Sequence, residues 1–199
     1  MNLLELLKTR RSIRSYREEQ IPQKTLIEII DTARYAPTGA NLQPWEFILV
    51  TDAGLRQELS KYAKFYFIKS GHVALAPALI IILGRPSRSE FYTIDCSLAG
   101  ANIIIAAHFL GLGTCWIGAF NEQKIKESLC IPDELKIVGM ITIGFIDEQP
   151  DPSPKLSLSE ILHFDTYRNI IPSFARLTRQ GPLSIWKKIL KVVVGKSLL

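Results

Sequence analysis

Apolar positions recur at helical or strand spacing along most of the first 145 residues. The opening NLLELLK (residues 2–8) reads as a short amphipathic helix. Pro22 suits an early helix position, and Leu26, Ile29, Ile30 and Ala33 follow at helical spacing, so a helix is expected to stop before Pro37. TGANLQP (38–44) crowds Gly, Asn and Pro into a loop, and WEFILVT (45–51) reads as a strand. Asp52 is placed to cap a helix over 52–64, and ALIIILG (78–84) reads as a buried strand. From Ile94 to Leu112 only Asp95, Ser97, Asn102 and His108 are polar. That predicts a helix buried on most sides, in the core or in a subunit interface, ended by Gly111 and Gly113. Asn121 caps an expected helix over 121–129, and IVGMITIGF (137–145) reads as a strand. Residues 146–157 hold three prolines and read as a loop. Few strands separated by helices fit α+β or α/β and exclude an all-β fold.

Length and composition add limits. A chain of 199 residues supports one compact domain, and 47% apolar with 22% charged residues excludes disordered and low-complexity classes. The longest apolar run, Val73–Leu83, spans 11 residues and contains Pro77, against the ~20 a membrane-spanning helix needs. The first residues lack a signal-peptide pattern. Cys96, Cys115 and Cys130 form no CxxC pair, so three reduced, mostly buried thiols and a cytoplasmic location are expected.

Charge is distributed unevenly. Residues 1–165 carry 17 Lys+Arg and 19 Asp+Glu, a net −2, whereas 166–199 carry 7 basic residues and no acid. The body gives no reason to expect nucleic acid as a partner. In the tail, LSIWKKILKVVV (183–194) sets Trp186, Ile189, Leu190 and Val193 apart from Lys187, Lys188 and Lys191. Such a segment suits an anionic membrane surface or docking on the body or a second copy, and Pro172 and Pro182 favour docking through an extended arm.

The candidate chemistry is set partly by what is missing. GxGxxG, GxxxxGK[ST], HExxH and GxSxG are all absent. His108 lies on the apolar stretch and reads as a hydrogen-bonded core histidine, and no metal site is indicated. Three segments remain. RRSIRSY (10–16) places Arg10, Arg11, Ser12 and Arg14 together; in an extended chain Arg10, Ser12 and Arg14 share one side, a donor set suited to phosphate. A solvated basic turn explains the same residues. PTGANLQPW (37–45) would let a backbone approach a flat ligand while Asn41 and Gln43 pair with its edge; an ordinary loop explains it too. GLGTCWIG (111–118) reads equally as backbone amides aimed at a ligand or as a helix end running into a turn.

RRSIRSY, PTGANLQPW and AGANIIIAAHFLGLGTCWIGAF, in that order and spacing, resemble the nitroreductase family of FMN-dependent oxidoreductases over roughly residues 3–168. The resemblance implies an α+β fold with a mostly antiparallel central sheet flanked by helices, in an intertwined homodimer. Residues 1–168 would form the FMN-binding domain and 169–199 a basic extension.

The same resemblance implies site roles. Arg10, Ser12 and Arg14 would hold the FMN phosphate and ribityl chain, with Arg11 flanking. Thr38, Gly39, Ala40, Asn41 and Gln43 would reach the flavin from the other subunit. Trp116 would line the cofactor, and Ile117 and Gly118 would offer it backbone amides. Lys155 matches a late basic residue on the phosphate, while Ser157 stands where a second is common. NAD(P)H would reduce the flavin, and a nitroaromatic, quinone or flavin acceptor would reoxidise it. Substrate contacts are expected from Tyr62 to Gly71, Tyr66 above all, and from Phe120. That lid segment is short, which suggests an open pocket. Dehalogenation, azoline oxidation, flavin fragmentation or simple electron transfer are the alternative uses of such a fold.

Overall fold

The computed structural model describes residues 2–65 and 68–169. The chain divides into two compact units, 1–151 and 152–199. The elements of the first unit are α1 (Leu3–Thr9), β1 (Ser15–Tyr16), α2 (Gln23–Asp31), β2 (Trp45–Val50), α3 (Ala53–Ser60), β3 (Lys64–Phe65), β4 (Ile68–Lys69), α4 (His72–Leu75), β5 (Ala78–Gly84), α5 (Tyr92–Phe109), β6 (Leu112–Ile117), α6 (Glu122–Leu129) and β7 (Lys136–Glu148). A 3₁₀ turn, Thr32–Tyr35, continues α2 toward Pro37. In the second unit the described structure is an exposed stretch followed by α7 (Leu158–Ile161). The expected tail helix over 183–194 lies outside the described residues.

The main sheet is antiparallel, as expected. β5 lies between β2 and β7, and the 13-residue β7 also pairs β6 and, near its end, β1. β5 is an unbroken Ala-Leu-Ile-Ile-Ile-Leu-Gly run because it is buried on both faces. Ile80 and Ile82 meet α2 and α5 on one side, with Trp45, Ile141 and Leu112. Leu79 and Ile81 meet α3 and α6 on the other, with Leu59, Ile125 and Met140. A bulge opposite Ile82/Leu83 lets Ile137 and Met140 share that second face despite their odd spacing.

Side-chain caps set the helix starts. Asp52 accepts from the Leu55 amide at 2.7 Å and Asn121 from the Lys124 amide at 3.1 Å. Pro22 stands at the N-cap of α2, one residue earlier than the expected position inside the helix.

Two local expectations are corrected. α5 ends at Phe109 instead of Leu112, because Gly111 takes a left-handed φ of +78° and turns the chain back. Leu112–Ile117 is then a strand, not a turn, since β7 offers it a partner along its whole length. Within its own chain α5 buries one face. Cys96, Ala99, Ile103 and Ala107 face the core, whereas Ile94 (60% exposed), Leu98 and Phe109 (70%) face outward, with Phe91 just before the helix. Among the cysteines, Cys96 and Cys115 are buried, but Cys130 is exposed at the left-handed end of α6. No described helix is long and apolar enough to cross a membrane.

Candidate functional site

The arginine segment begins where α1 ends. Arg11 closes that helix, its Nη1 donating to the carbonyls of Lys8, Thr9 and Arg10 at 3.1 Å. The chain then runs extended beside β6: Ser12 bridges Thr114 in parallel, and the Ile13 amide donates to the Thr114 carbonyl at 2.8 Å. Ile13 is buried over Gly113, where a Cβ would come within 2.7 Å of three Ile13 atoms. This anchors the alternation: Ile13 points in, while Arg10 and Arg14 are exposed with Ser12 between them.

Among the described residues no carboxylate pairs with Arg10, Arg11 or Arg14. Their field is felt nearby. His108, whose Nε2 lies 3.1 Å from the Thr9 hydroxyl, is held below the usual histidine range by burial and then by Arg10 and Arg11. His72 is lowered by burial and then by Arg14. Burial raises the Cys115 thiol, with Arg14 and Arg10 opposing. The crevice between Arg10, Arg11, His108 and Gln149 has room for about 10 Å³, roughly one water, so a larger anion meets these arginines from their open side.

The end of β6 continues this surface. Gly118 follows the last paired residue and is exposed. Phe120 then bridges Ala63, Asn121 donates to the Tyr62 carbonyl at 2.9 Å, and Ser70 donates to the Ala63 carbonyl at 3.0 Å. The structure thus gathers Ile117, Phe120 and Tyr62 at the end of β6, while the arginine segment meets the strand at Gly113 and Thr114. The His72 Nε2 is buried without a hydrogen-bond partner. Tyr66 lies outside the described residues. The Trp116 indole is wedged between α5 and β7, where a Cβ on Gly100 or Gly139 would approach it to 2.5 and 2.3 Å. Its side chain is therefore used for packing.

The 38–43 loop is held from below. The Thr38 hydroxyl donates to Asp95 Oδ2 at 3.0 Å and accepts from the Gln43 amide at 3.2 Å. Arg88 donates to the Gln43 carbonyl at 3.1 Å. Ala40, Asn41 and Gln43 take left-handed φ values of 48°, 58° and 48°, uncommon for residues other than glycine. Gly39, Ala40 and Asn41 are exposed. Among the described residues no hydrogen bond joins this loop to the arginine segment. Lys155 is an exposed residue of the second unit. Sequence reading missed Asp95, Ser89 and Arg88 as supports of the loop. The available signal was an acid in the first turn of an otherwise apolar helix.

The model of the nitroreductase family matches residues 7–70 and 64–145, the region that holds the arginine segment, the strained loop and β6. The chain belongs to the nitroreductase family. Among solved structures it is similar to a nitroreductase family protein from Clostridium novyi NT, at 34% identity and a TM-score of 0.69, covering 85% of this chain and 97% of that one. It is also similar to an FMN-dependent nitroreductase from Clostridium difficile R20291, at 29% identity and a TM-score of 0.74, covering 82% and 99%. A curated relative, FMN reductase (NADPH) of Bacillus subtilis, is 26% identical over 83% of this chain and 74% of its own length. The nitroreductase fold is therefore shared along nearly the whole first unit.

Proposed function

We propose that this nitroreductase-family chain is an FMN-dependent NAD(P)H oxidoreductase working as a homodimer. The observation that carries the reading is the arginine segment beside β6, which among the described residues has no carboxylate partner, with the exposed Gly118 following the same strand. Three guanidinium groups with no carboxylate partner among the described residues, and an exposed strand end, fit a ligand that is anionic at one end and flat at the other. The similarity to an FMN-dependent nitroreductase and to an FMN reductase supports FMN as that ligand.

Arg10, Ser12 and Arg14 would hold the phosphate and ribityl chain, with Arg11 keeping the segment in place. The amides of Ile117 and Gly118 would donate toward the ring, where fixed donors favour the reduced, more negative form. When bound, FMN supplies the redox chemistry, taking a hydride from NAD(P)H and passing it to a nitroaromatic, quinone or flavin acceptor. No side-chain nucleophile or general base is required. Phe120 would cover the face on which the two substrates bind.

The exposed stripe on α5 supports the homodimer. Leu3, Leu4 and Leu7 of α1 extend it, and Leu6, Ile105, Ala106 and Phe109 line an apolar groove of about 340 Å³. A contiguous apolar surface of this kind marks an association site. A second copy would cover it and bring its 38–43 loop to the flavin.

The test is steady-state kinetics with FMN-loaded protein, varying NAD(P)H and a quinone or nitroaromatic acceptor. Parallel double-reciprocal lines are expected; no NAD(P)H consumption above the free-FMN rate would overturn the reading. Arg10→Ala combined with Arg14→Ala should weaken FMN binding about a hundred- to ten-thousand-fold, two charge-assisted contacts being lost.

A further inference from the structure

Asp95 is the anomaly of α5. It is 4% exposed in a helix otherwise made almost wholly of apolar and small residues. Burying a carboxylate is costly unless its oxygens are satisfied. Among the described residues no Lys, Arg or His pairs with it. Its place in the first turn of α5 gives it the favourable end of the helix dipole. Its Oδ2 accepts from two hydroxyls, Thr38 at 3.0 Å and Ser89 at 3.2 Å.

The choice of a carboxylate has a consequence for Thr38. An ionised carboxylate only accepts. It therefore fixes the Thr38 hydroxyl as a donor toward α5 and leaves the hydroxyl oxygen to accept the Gln43 amide at 3.2 Å. Thr38 and Gln43 are the two ends of the loop, so one carboxylate ties both. Between them the backbone is strained. A left-handed conformation is unfavourable for a residue with a Cβ, less so for Asn, and Ala40, Asn41 and Gln43 all adopt it. Such strain persists only where the surroundings over-determine it. The Gln43 side chain adds a tie of its own, Nε2 donating to the Asn41 carbonyl at 3.1 Å.

We propose that Asp95 is the positioning residue of the 38–43 loop: through the Thr38 hydroxyl it holds the loop in its left-handed form and so sets how Asn41 and Gln43 meet the flavin. Asp95 itself does not touch the cofactor. The proposal rests on the flavin reading above.

Two readouts separate the latch from the flavin. Hydrogen exchange at the Gln43 amide in flavin-free protein reports the latch alone. FMN affinity by fluorescence quenching, with the midpoint potential of the bound flavin, reports the positioning. Asp95→Ala should speed Gln43 exchange and weaken FMN binding, each by about tenfold, the scale of one hydrogen bond. Asp95→Asn keeps an acceptor oxygen and should restore most of both. Ser89→Ala leaves the Thr38 bond and should change Gln43 exchange little. If Asp95→Ala does not fold, Asp95→Val, closer in volume and likewise without an acceptor, removes the same bond and should speed Gln43 exchange equally.

Unchanged Gln43 exchange in Asp95→Ala overturns the latch. Faster exchange with unchanged FMN affinity and potential overturns the positioning role. Equal losses in Asp95→Asn and Asp95→Ala would show that the charge, not the hydrogen bond, is what matters, and would overturn the mechanism argued here. Wild-type protein that takes up no FMN overturns the flavin reading, and the positioning role with it, while the exchange data still judge the latch.

Discussion

His108 shows at the residue scale what the arginine segment does to its surroundings. Its imidazole is pushed below the usual range by burial and then by Arg10 and Arg11. The folded state therefore favours neutral His108, and the unfolded chain binds the proton more readily. Stability from this site is full above the unfolded value of about 6.5 and is lost as pH falls through it toward the lower folded value. His72, lowered by burial and Arg14, acts in the same sense. The urea midpoint of flavin-free protein is expected to fall between pH 7.5 and 5.5, and to fall less in His108→Gln. An identical decline in that variant would contradict the assignment. Individual residues were unevenly legible in the sequence. RRSIRSY showed its alternation because Ile13 is apolar between polar neighbours, and the structure buries Ile13 while Arg10 and Arg14 stay exposed. Asp95 stood out as an acid in an apolar helix, but the loop it supports was not legible, because its partner Thr38 is 57 positions away. Cys130 looked like one more buried thiol, but it caps α6 at a left-handed position open to solvent.

Elements were most legible where periodicity and caps agree. β5 has the predicted bounds because both faces need apolar side chains, and Asp52 and Asn121 start their helices by accepting an amide of the first turn through a side-chain oxygen. β6 was not legible. Its glycines signalled a turn, yet Gly113 serves close approach: Ile13 occupies the space a side chain would take. β1 and the β3–β4 pair are two-residue strands, too short to leave a period. β7 runs to Glu148, past the expected end, because β1 pairs with its last residues. Packing between elements gives a sharp prediction. Gly139→Ala would drive a Cβ to 2.3 Å from the Trp116 ring, which has no free space toward Gly100. Overpacking of this kind costs about 1–3 kcal/mol, and a lowered urea midpoint with unchanged slope is expected. A midpoint equal to wild type would mean that the indole moves aside freely.

At the scale of the whole molecule, the apolar helix was legible as a segment but its surroundings were not. Periodicity could not tell a helix buried by its own chain from one half-covered by a second copy. The structure leaves Ile94, Leu98 and Phe109 outward, and the proposed homodimer covers them. Ile94→Lys combined with Leu98→Lys should convert a dimer to a monomer in sedimentation velocity, and FMN affinity should fall with it if the partner's loop completes the site. A wild-type protein that sediments as a monomer would contradict the homodimer. The central claim is that the family fold here carries a working flavin site. Its most direct test is the absorbance spectrum of purified protein incubated with FMN and freed of unbound cofactor, followed anaerobically on addition of NADH and then NADPH. The account predicts a retained flavin that bleaches with at least one of the two donors. A protein that retains no flavin, or a retained flavin that neither donor bleaches, would contradict it.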